Sequence, residues 1–175
     1  MDTPFDPNPF CGHAACCFTG HRPRGLPRPD SDAMALLRLR LMQAVRAACG
    51  GGVRTFLCGG AQGFDQLAAE AVLALRGGGA DVCLLLALPA PTQADAWSAA
   101  ARARYERTLR AADGVWYAAQ RADAAAMLRR NRYLVEHADC CITYLSAAAG
   151  GTLYTVRYAL SRGLYVYNLA LPEGM

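Results

Sequence analysis

Apolar positions in this chain follow two rhythms that alternate from one end to the other. Short runs of β-branched, aromatic and aliphatic residues over 14–18, 53–58, 81–88, 114–117, 138–145 and 164–169 predict buried strands. Between them, apolar residues recur in steps of three and four. After Ser31 or Asp32, either of which can cap a helix, positions 37, 41, 44, 45 and 48 repeat helically until Gly50, Gly51 and Gly52 stop them. Positions 64, 67, 68, 71, 72 and 75 form a second amphipathic face that Gly77, Gly78 and Gly79 end. Further helices are predicted over 95–109, with Trp97, Ala101, Tyr105 and Thr108 on one stripe, over 124–136, and over 152–162.

Six strands alternating with helices predict an α/β fold: one domain built on a mainly parallel, doubly wound sheet, with helices on both faces. The run at 81–88 is almost wholly apolar, as expected of a strand covered on both sides. Residues 1–13, which begin with aspartates and prolines, read as an N-terminal arm, and residues 14–175 as the domain.

Composition narrows the class. A chain of 175 residues buries roughly 70% of its unfolded surface. No apolar run approaches the ~20 residues of a membrane span, and residues 1–9 lack the basic-then-apolar layout of a signal peptide. The expectation is a cytoplasmic protein with no membrane partner. Eighteen basic residues against fourteen acidic ones leave +4, and every basic side chain is Arg. Guanidinium forks suit phosphate, although the abundant Ala favours a bias in base composition as the source of the charge.

The eight cysteines do not suggest a metal. Cys16, Cys17, Cys58, Cys83, Cys140 and Cys141 fall inside the apolar strand runs, where a thiol acts as a small hydrophobe. No C-x-x-C occurs, and the one ligand-like spacing, Cys11, His13 and Cys16, places Cys16 in a strand. Neither metal nor cofactor is expected.

Candidate chemistry lies in the loops after the strands, which a parallel sheet delivers to one edge. They read Thr19, Gly20, His21, Arg22; then Gly59, Gly60, Gly63 and Asp65; then Pro89 to Gln93; then Gly150, Gly151 and Thr152. Glycines allow close backbone approach to an anion, and helix N-termini favour negative charge. Asn131 falls on the apolar face of its helix, four residues from Met127 and from Val135, so its amide is expected to reach that edge. Neither a dinucleotide G-x-G-x-x-G nor a Walker loop is present, the latter requiring a Lys that the chain lacks.

Five ordered motifs carry a resemblance. They are Cys17-Phe18-Thr19-Gly20-His21-Arg22-Pro23, Gly59-x-Ala61-x-Gly63-x-Asp65 with Ala69-Glu70, Pro89-x-x-x-Gln93 with Trp97, Arg130-Asn131-Arg132, and Gly150-Gly151-Thr152-x-x-Thr155 with Tyr158-Ala159. Over residues 14–170 the chain resembles the YpsA-like branch of the SLOG superfamily, named for DprA (Smf) and LOG proteins. The resemblance implies a Rossmann-like domain that binds nucleotides, nucleotide derivatives or nucleic acid at this edge. LOG enzymes cleave the N-glycosidic bond of nucleoside monophosphates with a Glu in P-G-G-x-G-T-x-x-E; here Thr155 stands in that position.

Three functional readings follow. The first is a nucleotide-binding protein, such as a sensor of an ADP-ribose-like ligand. The second is an N-glycosidic hydrolase in which Asp65 or Glu70 supplies the carboxylate. The third is a DprA-type binder of single-stranded nucleic acid. Related Rossmann-like proteins often pair, which adds a homo-oligomer to the expectations.

Overall fold

A computed structural model describes residues 8, 10–147 and 150–170. Six parallel strands form one sheet in the order β4-β3-β2-β1-β5-β6: β1 (Ala15–Gly20), β2 (Thr55–Cys58), β3 (Cys83–Leu88), β4 (Gly114–Tyr117), β5 (Cys140–Tyr144) and β6 (Tyr165–Asn168). Five helices connect them: α1 (Asp32–Gly51), α2 (Phe64–Gly77), α3 (Ala99–Ala111), α4 (Ala124–Glu136) and α5 (Gly151–Ser161). The chain winds outward from β1 to β4, then returns to place β5 on the other side of β1. That reversal makes β1 and β5 the switch point of a Rossmann-like sheet, where a crevice opens beyond the strand ends.

Alternate residues along each strand serve opposite faces. Cys16, Phe18, Phe56, Cys58, Leu84, Leu86 and Ile142 pack beneath α1 and α2 in the larger core. Cys17, Leu57, Ala87 and Cys141 meet Leu134, Val135 and Ala159 of α4 and α5 on the other face. The buried cysteines of β1 and β5 sit side by side, Cys16 against Cys140 and Cys17 against Cys141, and all eight cysteines are free thiols. Burial holds the Cys16 and Cys58 thiols well above their ordinary range, which keeps them protonated packing groups.

The structure departs from the predicted elements at the third helix. The third helix begins at Ala99 rather than at residue 95, because Pro91–Ala94 forms a 3-10 turn and Ser98 caps the helix through the Ala101 N–H. Trp97 therefore precedes the helix, yet it still meets Tyr105 edge-on at 5.3 Å. At the N-terminus, described residues of the expected arm pack against the rest of the chain. Asn8 donates its amide to the Ala47 carbonyl at 2.8 Å, and Phe10 is 1% exposed, edge-on to Tyr165 and Tyr167 of β6. Residues 1–7 and 9 lie outside the described residues. No described helix is long and apolar enough to cross a membrane.

Phe10 ties the N-terminal segment to the edge strand. Phe10→Ala is expected to lower stability by about 3 kcal/mol in urea unfolding, the usual cost of removing a buried aromatic ring.

Candidate functional site

At the switch point a cavity of about 190 Å³ opens. The end of β1 supplies Thr19 and Gly20, and the following loop supplies Arg22. Asp65 enters from α2, Arg130 and Asn131 from α4, and Gly151 and Thr152 from the start of α5. Four separate segments thus converge on one space, as the winding of the sheet requires.

The floor is a buried ion pair. Asp65 is 7% exposed and Arg130 5%, and Arg130 Nη1 stands 3.6 Å from Asp65 Oδ2. The Ala61 N–H donates to the same oxygen at 3.2 Å, and Arg130 Nη1 donates to the Gly59 carbonyl at 2.5 Å. Burial pushes the Asp65 carboxyl above the usual carboxylate range, while Arg130, the Ala61 N–H and Arg22 pull it back. Arg130 Nε is buried with no partner among the described residues. A guanidinium cannot shed its proton, so that N–H remains an unpaired donor of a residue that lines the cavity.

This pair explains the first glycine of the loop. A Cβ on Gly59 would lie 1.8 Å from Arg130 Nη1 and 2.7 Å from Asp65 Oδ2, so no side chain fits beside the guanidinium. Gly63 answers a different need. Its φ of +97° turns the chain into α2, and a Cβ there would press on the His21 carbonyl at 2.5 Å. That carbonyl accepts from the Phe64 N–H at 3.1 Å, fastening the first loop to the second.

Thr19, Gly20, Arg22, Asp65, Asn131, Gly151 and Thr152 all line the cavity. The other predicted site residues serve as supports. His21 Nε2 accepts from the Ser146 N–H at 3.0 Å, bracing the loop that leads into α5. Gln93 is buried and donates to the Gly60 carbonyl at 3.1 Å, and Pro89 is buried at the end of β3. Gly150 precedes α5 with φ +96° and offers no capping side chain, so the first N–H groups of this 11-residue helix face outward uncapped.

Glu70, the other candidate acid, is not on the cavity wall. It forms a two-pronged pair with Arg104 of α3, at 2.5 and 2.7 Å. Thr155, at the position of the LOG Glu, is 1% exposed and donates its hydroxyl to the Gly151 carbonyl at 2.9 Å.

Arg130 is the residue that sequence reading placed only beside Asn131. A signal for it existed: it falls four after Ala126 and four before Leu134, both buried, so it lies on the inner stripe of α4. An Arg in phase with buried residues must find a partner, and among the described residues the only acid on the cavity wall is Asp65.

The model of the YpsA family, described as YspA SLOG family, matches residues 16–162. No curated protein matches the chain. Among solved structures, DNA processing protein A from Helicobacter pylori, described for its single-stranded DNA binding mode, superimposes with a TM-score of 0.64 at 16% identity. The superposition covers 92% of this chain and 67% of that one. DNA processing protein A (DprA) from Streptococcus pneumoniae gives 0.62 at 18% identity, covering 89% of this chain and only 50% of its own. At these identities the likeness establishes the fold.

The ion pair makes a sharp prediction. Asp65→Asn or Arg130→Met alone is expected to cost about 3–5 kcal/mol, since each leaves a buried charge uncompensated. The double variant is expected to cost less than the sum by about 1–3 kcal/mol. Urea unfolding of the four proteins checks this, and strict additivity would mean that the two side chains do not interact.

Proposed function

Because the chain belongs to the YspA SLOG family, we propose that the switch-point cavity binds a phosphate-bearing nucleotide or nucleotide derivative. The observation that carries this reading is Arg130, a buried guanidinium that lines the cavity and whose Nε has no partner among the described residues. Around it stand Arg22, the Thr152 side chain and the uncapped start of α5. Buried cation, flexible cation, hydroxyl and helix N-terminus are donors that phosphate oxygens accept from together. Asn131 adds an amide on the same wall, suited to a ribose hydroxyl or a base edge.

Binding is favoured over glycosidic hydrolysis by the state of the acids. Glu70 is held by Arg104 away from the cavity, and Asp65 Oδ2 is already engaged by Arg130 and the Ala61 N–H. A carboxylate so occupied is poorly placed to stabilise an oxocarbenium centre or to activate water.

A second reading, single-stranded DNA binding, is supported by the fold shared with the H. pylori protein and by exposed Arg129 and Arg132 on the helix that carries Arg130. The two readings separate by salt. Isothermal titration with ADP-ribose, AMP and a short single-stranded oligonucleotide is expected to show nucleotide binding that persists at high salt, and Arg22→Ala is expected to weaken it roughly tenfold. No saturable heat with any nucleotide would end the first reading. Oligonucleotide binding that collapses as salt rises would establish the second.

Proton linkage gives an independent check. Protonation of Asp65 removes the negative charge beside Arg130, so anion affinity is expected to rise as pH falls into the range of its raised titration. ADP-ribose is the probe of choice, because its pyrophosphate does not itself titrate there. In Asp65→Asn the affinity is expected to be flat over the same range.

A further inference from the structure

A larger cleft, of about 420 Å³, lies on the α1–α3 side of the molecule. It adjoins the cavity just described along the chain: Arg22, Ala61 and Asp65 line the cavity, and the residues that follow them, Pro23, Gln62 and Gln66, line the cleft. Its walls are mostly apolar, with Leu26 and Pro27 from the β1–α1 connection facing Met34, Leu67 and Ala101. This volume and lining match those of small-molecule sites, which orient their ligands with a few placed polar groups.

Besides Arg104, three polar side chains line the cleft: Arg38, Gln62 and Gln66. Gln66, in the first turns of α2, is 5% exposed and lines the cleft, and its Nε2 has no partner among the described residues. A buried amide donor left unpaired inside a protein calls for an acceptor. Arg104 also lines the cleft, but its guanidinium is spent on Glu70. Arg38 of α1 is exposed and contributes a positive charge to the wall.

We propose that this cleft is a second ligand site, taking a small carboxylic acid with a flat or branched apolar body. The body lies against the proline, leucine and methionine walls, and the carboxylate turns toward Gln66 and Arg38. With Arg104 neutralised by Glu70, Arg38 brings a single positive charge to the cleft, which matches a monoanion better than a phosphate dianion.

The test is an NMR titration of the full-length, 15N-labelled protein with naphthalene-2-carboxylate, its neutral amide, and 2-naphthyl phosphate. The expected result is saturable shifts of the Gln66 side-chain amide and of the Leu67 and Ala101 backbone. The neutral amide is expected to bind roughly tenfold more weakly, as is the carboxylate to Arg38→Ala. Gln66→Met keeps the side-chain volume and removes the donor, so it is expected to weaken binding while the rest of the spectrum is retained. Ala101→Leu fills the cleft and is expected to abolish binding. The proposal is overturned if the carboxylate gives no saturable shifts, if it binds Gln66→Met and Ala101→Leu as it binds the parent, or if shifts are confined to Thr19, Arg130 and Thr152. Tighter binding of the phosphate than of the carboxylate would overturn the monoanion assignment.

Discussion

The contact between Arg130 and Asp65, beneath the carbonyl of Gly59, is the constraint on which the site depends. Arg130 comes from a helix on one face of the sheet, and Asp65 from a helix on the other. Their pairing joins the two layers at the strand ends, where no ladder of hydrogen bonds continues. Taking two charges out of water is costly, and the cost is offset only when geometry and extra hydrogen bonds are good. The Gly59 carbonyl and the Ala61 N–H supply those bonds, which is why the loop after β2 must approach so closely.

From that contact the other loops take their places. Gly63 lets the second loop rest on the backbone of the first, and His21 carries the connection on to Ser146 beyond β5. Three strand-end loops are thereby held in register around the switch point by short backbone contacts. The uncapped start of α5 then faces a cavity whose position is fixed by contacts among the loops and helices themselves. Rigid support with unsatisfied donors is the arrangement expected of a binding site built before its ligand arrives.

Much of this was legible in the residues. Alternating periods announced six strands and the parallel winding, because a buried strand and a one-sided helix place apolar residues at different intervals. The ordered motifs brought Thr19, Arg22, Asp65, Asn131 and Thr152 to one edge, and each of them lines the cavity. Less legible were the roles within the set. His21 and Gln93 look like ligand-facing groups in sequence, but their hydrogen bonds run to backbone atoms of neighbouring loops. Glu70 reads as a solvent-facing or catalytic acid until α3 brings Arg104 against it, 34 positions along the chain. Phe10 sits in a stretch whose prolines and aspartates suggest an arm, and its burial depends on the late strand β6.

The sequence by itself determined what is local or periodic: which segments are helices and which are strands, that the sheet is parallel, and which loops share an edge. Backbone geometry and burial period act over a few residues, so a linear reading captures them. Tertiary structure alone decided which polar groups satisfy one another and which are left over. That question depends on distances between residues far apart in the chain, such as Gly59 and Arg130, separated by 71 positions. Arg130 Nε and Gln66 Nε2 are among the buried groups left without a partner among the described residues, and the two proposed sites rest on them.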